Sequence, residues 1–377
     1  MEYWTVEECC EILDFMRVPI TASDRKRGPY PYYGANGIQD HVAEYIFDDE
    51  LVLLAEDGGN FGSKERPIAY RVSGKCWVNN HAHVLKPKEG LDVDYLCYSL
   101  MFYDTSGLVN GATRQKLTQA DMRKMLIPMR SITEQMGIVQ RIKAIESIIE
   151  SRQRQLSALD TLIKARFVEM FGDPETNPMD WPVELLGALL CVEPQNGLYK
   201  PQSDYVQDGT GIPILRIDAF YDGKVNDFSR LKRLTCTESE KQRYLLMEND
   251  IVINRVNSIE YLGKCAWITG MIEPTVFESN MMRFHVDENR IDPCYLTRLL
   301  CSTFIYNQIL TRAKKAVNQA SINQGDVQSF AIVVPPLGLQ KEYATFVYQV
   351  DKSKAVVQQA LAKDQLLFDS LMQQYFG

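Results

Sequence analysis

Two long stretches of the chain, residues 132–172 and residues 337–377, carry apolar side chains at alternating intervals of four and three. In the first stretch this stripe holds eight apolar residues and two arginines: Ile138, Ile142, Ile145, Ile149, Arg152, Leu156, Leu159, Ile163, Arg166 and Met170. Such spacing places the side chains on one narrow face of an α-helix, the face that a partner helix buries in a coiled coil. Neither stretch contains Pro and each ends in Phe-Gly, so each predicts a helix of roughly 36 residues and about 54 Å.

The second stretch repeats the first 205 positions later in the chain. Its stripe again holds eight apolar residues and two polar ones: Tyr343, Val347, Val350, Lys354, Val357, Leu361, Asp364, Phe368, Leu371 and Tyr375. Two copies of one helix pair most economically with each other, antiparallel if the segments between them fold as globular units. The alternative is a long core helix in each of two separate domains. Because polar residues within the stripe can fix the register of a helix pair, we predict an antiparallel coiled coil.

The segments before the two helices have the pattern of mixed α/β domains built mainly from short strands. In the first segment the apolar runs predict a helix at 92–103 and strands at 51–55, 68–72, 75–78, 82–86 and 125–128. A short amphipathic helix is predicted at residues 1–16, with one face made of Val6, Cys9, Cys10, Leu13 and Met16.

The second segment follows the same plan, which indicates an internal duplication. Asp250-Ile-Val-Ile lies 200 positions after Glu50-Leu-Val-Leu, and the second copy carries extra residues before Asp250, around a strand-like run at 212–220. We predict an α+β protein with an internal pseudo-two-fold repeat. Its four parts are two mixed α/β domains at 1–131 and 173–336 and two coiled-coil helices at 132–172 and 337–377.

Composition limits the compartment and the class of partner. The net charge is -8 and neither half is basic overall, so contact with nucleic acid would have to come from local patches. The nine cysteines form no CxxC pair, which is typical of cytosolic thiols rather than of a disulfide framework or a zinc site. No apolar run approaches roughly 18 residues and the N-terminus is acidic, so we expect a cytoplasmic protein without a signal peptide or membrane span.

Motifs that would indicate catalysis or cofactor binding are missing from the sequence. It contains no GxxxxGK[ST] phosphate loop, no GxGxxG after a strand and no GxSxG elbow. His81 and His83 alternate on a predicted strand, where both imidazoles would face one side as metal ligands do. No acidic third ligand has a suitable spacing, so we expect neither a catalytic site nor a metal site.

The remaining chemical signal is a set of basic, amide and aromatic residues in the loops. Lys and Arg neutralise phosphates, while Arg, Asn and Gln present paired hydrogen-bonding groups to base edges. Solvated loops of no special function are the alternative. The candidate DNA-binding residues are Arg25, Lys26, Arg27, Tyr32, Asn36, Lys64, Asn80, His81, Arg114, Gln115, Lys116, Lys200, Arg216, Arg255, Asn257, Arg283, Lys314, Lys315, Asn318 and Gln319.

Two segments at the starts of the long helices carry a family resemblance. MLIPMRSITEQMGIVQRI at 125–142 and AIVVPPLGLQKEYATFV at 331–347 are each a strand, a Pro-containing turn and a helix entry. With FVEMFGD and YYGANGI they resemble the specificity subunits of type I restriction-modification systems. The first copy departs from the family's double-proline pattern at Arg130-Ser131, and the second has Leu339 in place of the Glu of the helix entry.

The resemblance implies a non-catalytic subunit with two target-recognition domains. In that family each domain recognises one half of a split, asymmetric DNA site, while the helices set the spacing and dock two methyltransferase subunits. Those partners bind S-adenosylmethionine and methylate adenine N6, and a restriction subunit that uses ATP and Mg cleaves unmodified DNA. No cofactor is expected on this chain. Two other functions stay open: a coiled-coil scaffold without a DNA role, and a DNA-modifying enzyme with an unrecognised site.

Overall fold

The computed structural model describes residues 2–111, 115–317 and 319–377, and the chain divides into two compact units. The first unit is Met1–Leu156 with Val356–Gly377, and the second is Ser157–Ala355. The α-helices are α1 (Val6–Cys9), α2 (Val93–Met101), α3 (Gln119–Met122), α4 (Ile132–Phe171), α5 (Glu238–Tyr244), α6 (Pro293–Leu300), α7 (Thr303–Arg312), α8 (Gln324–Gln328) and α9 (Leu337–Phe376). Within these described segments, none of the helices has the length and apolar character needed to cross a membrane.

The first unit is organised around one six-stranded sheet. Its strands are β1 (Glu2–Thr5), β2 (Cys10–Ile12), β3 (Arg27–Gly34), β4 (Gly37–Val42), β5 (Phe47–Ala55), β6 (Ala69–Val78), β7 (Ala82–Pro87), β8 (Val109–Asn110), β9 (Lys116–Leu117) and β10 (Leu126–Met129). The sheet order is β2-β7-β5-β6-β3-β4, with only β3 and β6 parallel among these neighbours. β1 pairs antiparallel with β10, the strand that leads into α4.

The second unit contains a matching sheet and an additional one. Its strands are β11 (Val183–Leu185), β12 (Leu190–Asn196), β13 (Tyr205–Val206), β14 (Ile212–Leu215), β15 (Phe220–Tyr221), β16 (Gly223–Val225), β17 (Lys232–Leu234), β18 (Ile251–Asn254), β19 (Val256–Asn257), β20 (Cys265–Trp267), β21 (Val276–Phe277), β22 (Met281–Val286), β23 (Lys314–Lys315), β24 (Ala320–Ser321) and β25 (Ala331–Val333). The six-stranded order β12-β22-β18-β20-β16-β15 has its parallel pair, β16 with β20, at the same place as in the first unit. The additional sheet, β13-β17-β14-β21, is built largely from the extra residues before Asp250.

The long helices begin at Ile132 and Leu337, as the stripe pattern predicts, and each contributes to both units. In the first unit, Ile138 and Ile142 of α4 share a core with Phe368 and Met372 of α9. In the second unit, the shared core contains these residues of the two helices: Ile163, Phe167, Met170, Phe171, Tyr343, Val347 and Val350.

Polar residues of the stripes form ion pairs with residues of the other helix, in one case with a stripe residue and in the other with the neighbouring Asp160. In the first unit, Arg152 of α4 donates from Nε to Asp364 of α9 at 3.2 Å. In the second unit, Lys354 of α9 forms an ion pair with Asp160 of α4. Because partners later in α4 lie earlier in α9, the helices run antiparallel. The predicted fold class, mixed α/β domains with an antiparallel coiled coil and an internal repeat, is confirmed.

The predicted helix at residues 1–16 is wrong, because backbone partners distant in sequence divide this segment. Glu2–Thr5 pairs with β10 and Cys10–Ile12 pairs with β7, which leaves one helical turn, Val6–Cys9, between them. The two strands predicted between residues 68 and 78 are one continuous strand, β6. Sheet pairing here overrides the local periodicity.

Candidate nucleic-acid interface

In the first unit, three turns and a hairpin converge at the end of β5. The backbone amide of Glu56, just after β5, donates to the carbonyl of His81 in the β6–β7 turn at 2.9 Å. Gly58 N donates to the carbonyl of Gln115 in the β8–β9 hairpin at 3.1 Å. Asn36, in the β3–β4 turn, donates from Nδ2 to the carbonyl of Gly58 at 3.1 Å. We call the predicted residues gathered here the first loop surface: Asn36, Lys64, Asn80, His81, Gln115 and Lys116.

The first loop surface combines exposed amides with partly neutralised charge. Five of these side chains are exposed, and that of His81 is partly buried. The side-chain oxygen of Asn36 accepts a hydrogen bond from Asn60 Nδ2 at 3.2 Å, so its amide is oriented before any ligand binds. Lys116 Nζ lies 3.0 Å from Glu56 Oε1. Oriented amides beside a screened cation suit hydrogen bonding to base edges more than neutralisation of phosphates.

In the second unit, a small three-stranded sheet occupies the matching place. Its order is β19-β24-β23, and it gathers Arg255, Asn257, Lys314, Lys315 and Gln319, which we call the second loop surface. Both lysines and the glutamine are exposed. The guanidinium of Arg255 donates to the carbonyl of Ser279 at 3.1 Å, and the rest of this surface is basic or amide in character.

The two loop surfaces are built on the same backbone hydrogen bonds. In the first unit, the amide of Glu56 donates to the carbonyl of His81 (2.9 Å), and the carbonyl of Glu56 accepts from the amide of Leu117 (2.8 Å). In the second unit, the amide of Arg255 donates to the carbonyl of Asn280 (2.8 Å), and the carbonyl of Arg255 accepts from the amide of Ile322 (3.0 Å). Arg255 therefore occupies the position that Glu56 occupies in the first unit. The same backbone hydrogen bonds, which we call the shared backbone frame, thus carry an acidic side chain in the first unit and a basic one in the second. The second loop surface is therefore the more strongly cationic of the two.

The predicted residues near the start of β3 lie apart from the first loop surface. Lys26 and Arg27 are exposed, but they precede or begin β3, whereas Asn36 follows its far end. The guanidinium of Arg25 lies over the Tyr32 ring, 4.2 Å from the ring centroid. Tyr32 is 1% exposed and its hydroxyl accepts a hydrogen bond from Ile20 N at 3.0 Å. Its ring packs in the core, so the structure offers no face of Tyr32 on which a base could stack.

Three predicted residues of the second unit are held by acidic or polar neighbours. Lys200 lies 3.0 Å from Glu240, and this hydrogen bond raises the pKa of the lysine. Arg283 donates to the buried Asp250 at 3.0 Å. Arg216 donates to the hydroxyl of Tyr205 and pairs with Asp218 and Glu278. These ion pairs stabilise the second unit. They account for the positive charge of the three side chains without any contact to DNA. Arg114 and Asn318 lie outside the described residues.

His83 belongs to a buried ionic cluster that sequence spacing did not reveal. Ligand atoms of Asp14, Glu56 and His83 lie within 4.8 Å of one another. Their oxygens are already engaged, because Arg17 donates to Glu56 at 2.5 Å and Lys116 lies 3.0 Å from it. Cations of the chain itself thus balance these carboxylates. His81 lies outside this group, at the surface just before β7.

Sequence reasoning missed an aromatic cluster around Lys264, whose carbonyl accepts a hydrogen bond at 2.8 Å from the backbone amide of Asn254, the residue before Arg255. The ammonium of Lys264 lies 3.9 Å from the ring centroid of Tyr221 and 5.7 Å from that of Tyr261, and both tyrosines are exposed. Burial lowers the pKa of Lys264. The rings come from segments about 40 residues apart, so no local pattern could have found them.

Comparison with known proteins gives the same pattern of two domains. The model of the type I restriction modification DNA specificity domain matches residues 1–160 and 179–363. A type I restriction enzyme specificity subunit of Haemophilus influenzae is 36% identical over 148 residues, 39% of this chain and 38% of that protein. The EcoKI specificity subunit of Escherichia coli is 22% identical over 351 residues, 87% of this chain and 74% of that one.

Solved structures of similar fold cover the whole chain. The S subunit of a type I restriction-modification system from M. genitalium superposes with a TM-score of 0.59 at 14% identity, over 100% of this chain and 96% of that one. A chain from a study of complex assembly and conformational transition in a type I R-M system gives 0.56 at 15% identity, over 100% and 97%. The fold is therefore shared. With the family model matching most of its length, the chain belongs to the type I restriction-modification DNA specificity family.

Proposed function

We propose that this chain is the DNA-recognition subunit of a type I restriction-modification complex and that it recognises a bipartite, asymmetric site. One half of the site is recognised by each loop surface. The observation that carries the proposal is the shared backbone frame with Glu56 in one unit and Arg255 in the other. A frame of one shape with different side chains is what recognition of two different half-sites requires.

The two surfaces bind DNA through different kinds of contact, mainly hydrogen bonds to base edges on the first and mainly neutralisation of phosphates on the second. On the first, Asn36, Asn80 and Gln115 offer amides that pair with adenine edges. On the second, Lys314 and Lys315 neutralise phosphates and Arg255 reaches a guanine edge or a phosphate. The second half-site therefore supplies the larger share of salt-dependent affinity.

Partner subunits supply the chemistry in this proposal. The long helices expose apolar side chains, among them Met136 (50%), Val356 (67%) and Leu366 (70%). Apolar residues on helices that are already paired suit further protein contacts, so we assign them to two methyltransferase subunits. Those subunits bind S-adenosylmethionine and flip the target adenine out of the duplex. The restriction subunit binds ATP and Mg, and this chain contributes recognition without catalysis.

The experiment compares the purified chain with the chain bound to a type I methyltransferase subunit. Alone, the chain is expected to shift duplex DNA weakly and to transfer no methyl group from labelled S-adenosylmethionine. With the partner, both affinity and adenine methylation rise. Methyl transfer by the chain alone would indicate an enzyme instead. A chain that leaves DNA binding and methylation by the partner unchanged would be a scaffold without a DNA role.

The recognised sequence follows from a second measurement. Sequencing the methylated adenines in cells that express the chain with its methyltransferase partner gives both half-sites and the spacer. Two different half-sites are expected. A palindromic site would contradict the assignment of different chemistry to the two loop surfaces.

A further inference from the structure

We propose that Asp14 and His83 position the β8–β9 hairpin of the first loop surface and so determine recognition of the first half-site. The inference rests on the proposed function and adds two buried residues that do not contact DNA themselves. Both belong to the first unit, and neither is among the candidate DNA-binding residues.

His83 joins the core of the first unit to the hairpin through its two ring nitrogens. The side chain is fully buried, with Nδ1 2.6 Å from Asp14 Oδ2 and Nε2 3.0 Å from the carbonyl oxygen of Leu117 in β9. A carboxylate and a carbonyl oxygen can only accept hydrogen bonds. Both ring nitrogens therefore donate, which makes His83 an imidazolium whose charge Asp14 balances.

Asp14 holds the residue that follows the hairpin as well. Its Oδ2 also accepts a hydrogen bond from Gln119 Nε2 at 2.9 Å, and Gln119 begins α3 two residues after β9. Its Oδ1 accepts from the backbone amide of Val84 at 2.8 Å. Burial raises the pKa of Asp14, but the hydrogen bond and charge of His83 outweigh burial and hold this pKa below its ordinary value. One carboxylate thus ties β7 to the C-terminal side of the hairpin.

Other charged groups around His83 extend the connection to the exposed residues. Glu56 Oε2 lies 3.6 Å from His83 Nδ1, and Arg17 bridges Glu56 and Asp14 at 2.5 and 3.3 Å. Glu56 in turn holds Lys116, the hairpin residue next to Gln115. A shift of the Asp14–His83 pair would therefore move both of these hairpin side chains on the first loop surface.

The second unit provides a matched control. His285 Nδ1 lies 3.0 Å from Asp250 Oδ1, another buried aspartate paired with a histidine. Asp250 also accepts from Met247 N at 2.8 Å and from Arg283 at 3.0 Å. It precedes β18, whereas Arg255 and the second loop surface follow that strand. The second ring nitrogen of His285 lies 3.4 Å from Glu288 Oε1, in the turn between β22 and α6, so this pair shares the buried aspartate and the histidine but has no hydrogen bond to a hairpin.

The test uses three variants of the full chain with the methyltransferase partner. His83→Gln retains a donor toward Leu117 but turns an amide oxygen toward the Asp14 carboxylate. Asp14→Asn combined with His83→Gln restores a neutral relay, because one N–H of the Asn amide donates to Gln and the Gln amide donates to Leu117. The second Asn N–H faces Gln119, whose amide turns so that its oxygen accepts. His285→Gln is the control. Thermal unfolding shows first whether each variant is folded.

The readout is methylation of duplexes in which the base pairs of one half-site are substituted singly. For His83→Gln we expect roughly a tenfold loss of preference for the cognate first half-site, with preference at the second half-site unchanged. The double variant regains most of that preference, and the control keeps both. If His83→Gln is folded and retains first-half preference, or if both half-sites lose it equally, the positioning role is wrong.

Rescue by the double variant separates positioning from general stability, because a merely structural loss at His83 would persist when the neutral relay is restored. A folded double variant that regains no first-half preference would overturn the inference. Failure of the proposed function looks different, because the wild-type chain would then show no preference at either half-site.

Discussion

Gln135 accepts a hydrogen bond on its side-chain oxygen from the backbone amide of Asp92 at 2.8 Å. In the second unit, Gln340 and Asp292 stand in the same relationship at the same distance, 2.8 Å. Both glutamines are fully buried in the first two turns of a long helix, and both aspartates are N-caps of a shorter helix. The pair ties the entry of each long helix to the domain that precedes it, which explains why the helix-entry segment contains Gln in both copies.

Gln135→Ala is expected to destabilise the first unit by about 2–3 kcal/mol. The amide also donates to the carbonyls of Gly90 and Arg130, both at 2.9 Å, so the substitution leaves three backbone groups without their partner. Urea unfolding measures the loss. Gln365→Ala, at an exposed position of α9, is the control and is expected to change stability by less than about 0.5 kcal/mol. Equal effects of the two substitutions would contradict the prediction.

Lys314→Ala combined with Lys315→Ala should weaken DNA binding for every sequence. Both side chains are exposed on β23, where they can neutralise phosphates. The slope of log affinity against log salt should fall by about 0.9 for each phosphate that is no longer neutralised, as titrations between low and moderate salt measure. Lys363→Ala, on the exposed face of α9, is the matched control. An unchanged slope in the double variant would remove this hairpin from the interface.

Exchange of residues 18–124 for the equivalent segment of another family member should change one half-site and leave the other intact. The segment contains the whole first loop surface and none of the second. An exchange that begins at residue 18 separates Asp14 and Arg17 from His83, so we expect cleaner specificity when residues 6–17 come from the same donor. Sequencing of methylated adenines tests both versions. New bases in both half-sites would contradict the modular arrangement.

Arg152 and Asp364 are expected to be coupled by about 0.2–1 kcal/mol. They form an ion pair across the two helices at 3.2 Å, but their side chains are 35% and 23% exposed, so solvent screens most of the attraction. A double-mutant cycle to Ala, measured by urea unfolding at low and high salt, gives the coupling energy. Arg154→Ala is a control at a 72% exposed position of the same helix. A coupling that persists undiminished in high salt would contradict a partly exposed pair.

Asp14 contributes stability that acid should remove. Because the folded pKa lies below the ordinary value of 3.8, the contribution is fully present above about pH 3.8 and is lost as pH falls through the lower folded pKa. Asp14→Asn is expected to cost about 1–3 kcal/mol at pH 7 and less in strong acid. Urea unfolding of the two proteins across this pH range tests the prediction, and a difference that grows as pH falls would contradict it.

Local pattern was sufficient for the long helices and the duplication. The two stripes, which begin at Ile138 and Tyr343, and the absence of Pro predicted both helices, and each observed helix is 40 residues long where roughly 36 were expected. Helical periodicity, turn residues and repeated offsets are properties of neighbouring or equivalent positions, so one chain contains them in full. The same evidence supported the family, because its helix-entry segments are contiguous.

The composition of the candidate site depended on contacts that no local pattern contains. Tyr32 and Lys200 have the residue types of a DNA interface, but Tyr32 is buried in the core and Lys200 forms an ion pair with Glu240. Asp14 and His83 are 69 residues apart and meet only because β2 pairs with β7. Residue type and spacing alone determined the helices, the repeat and the chemistry that the loops could offer. Tertiary structure decided which side chains remain exposed, because burial and ion pairing depend on partners that are distant in sequence.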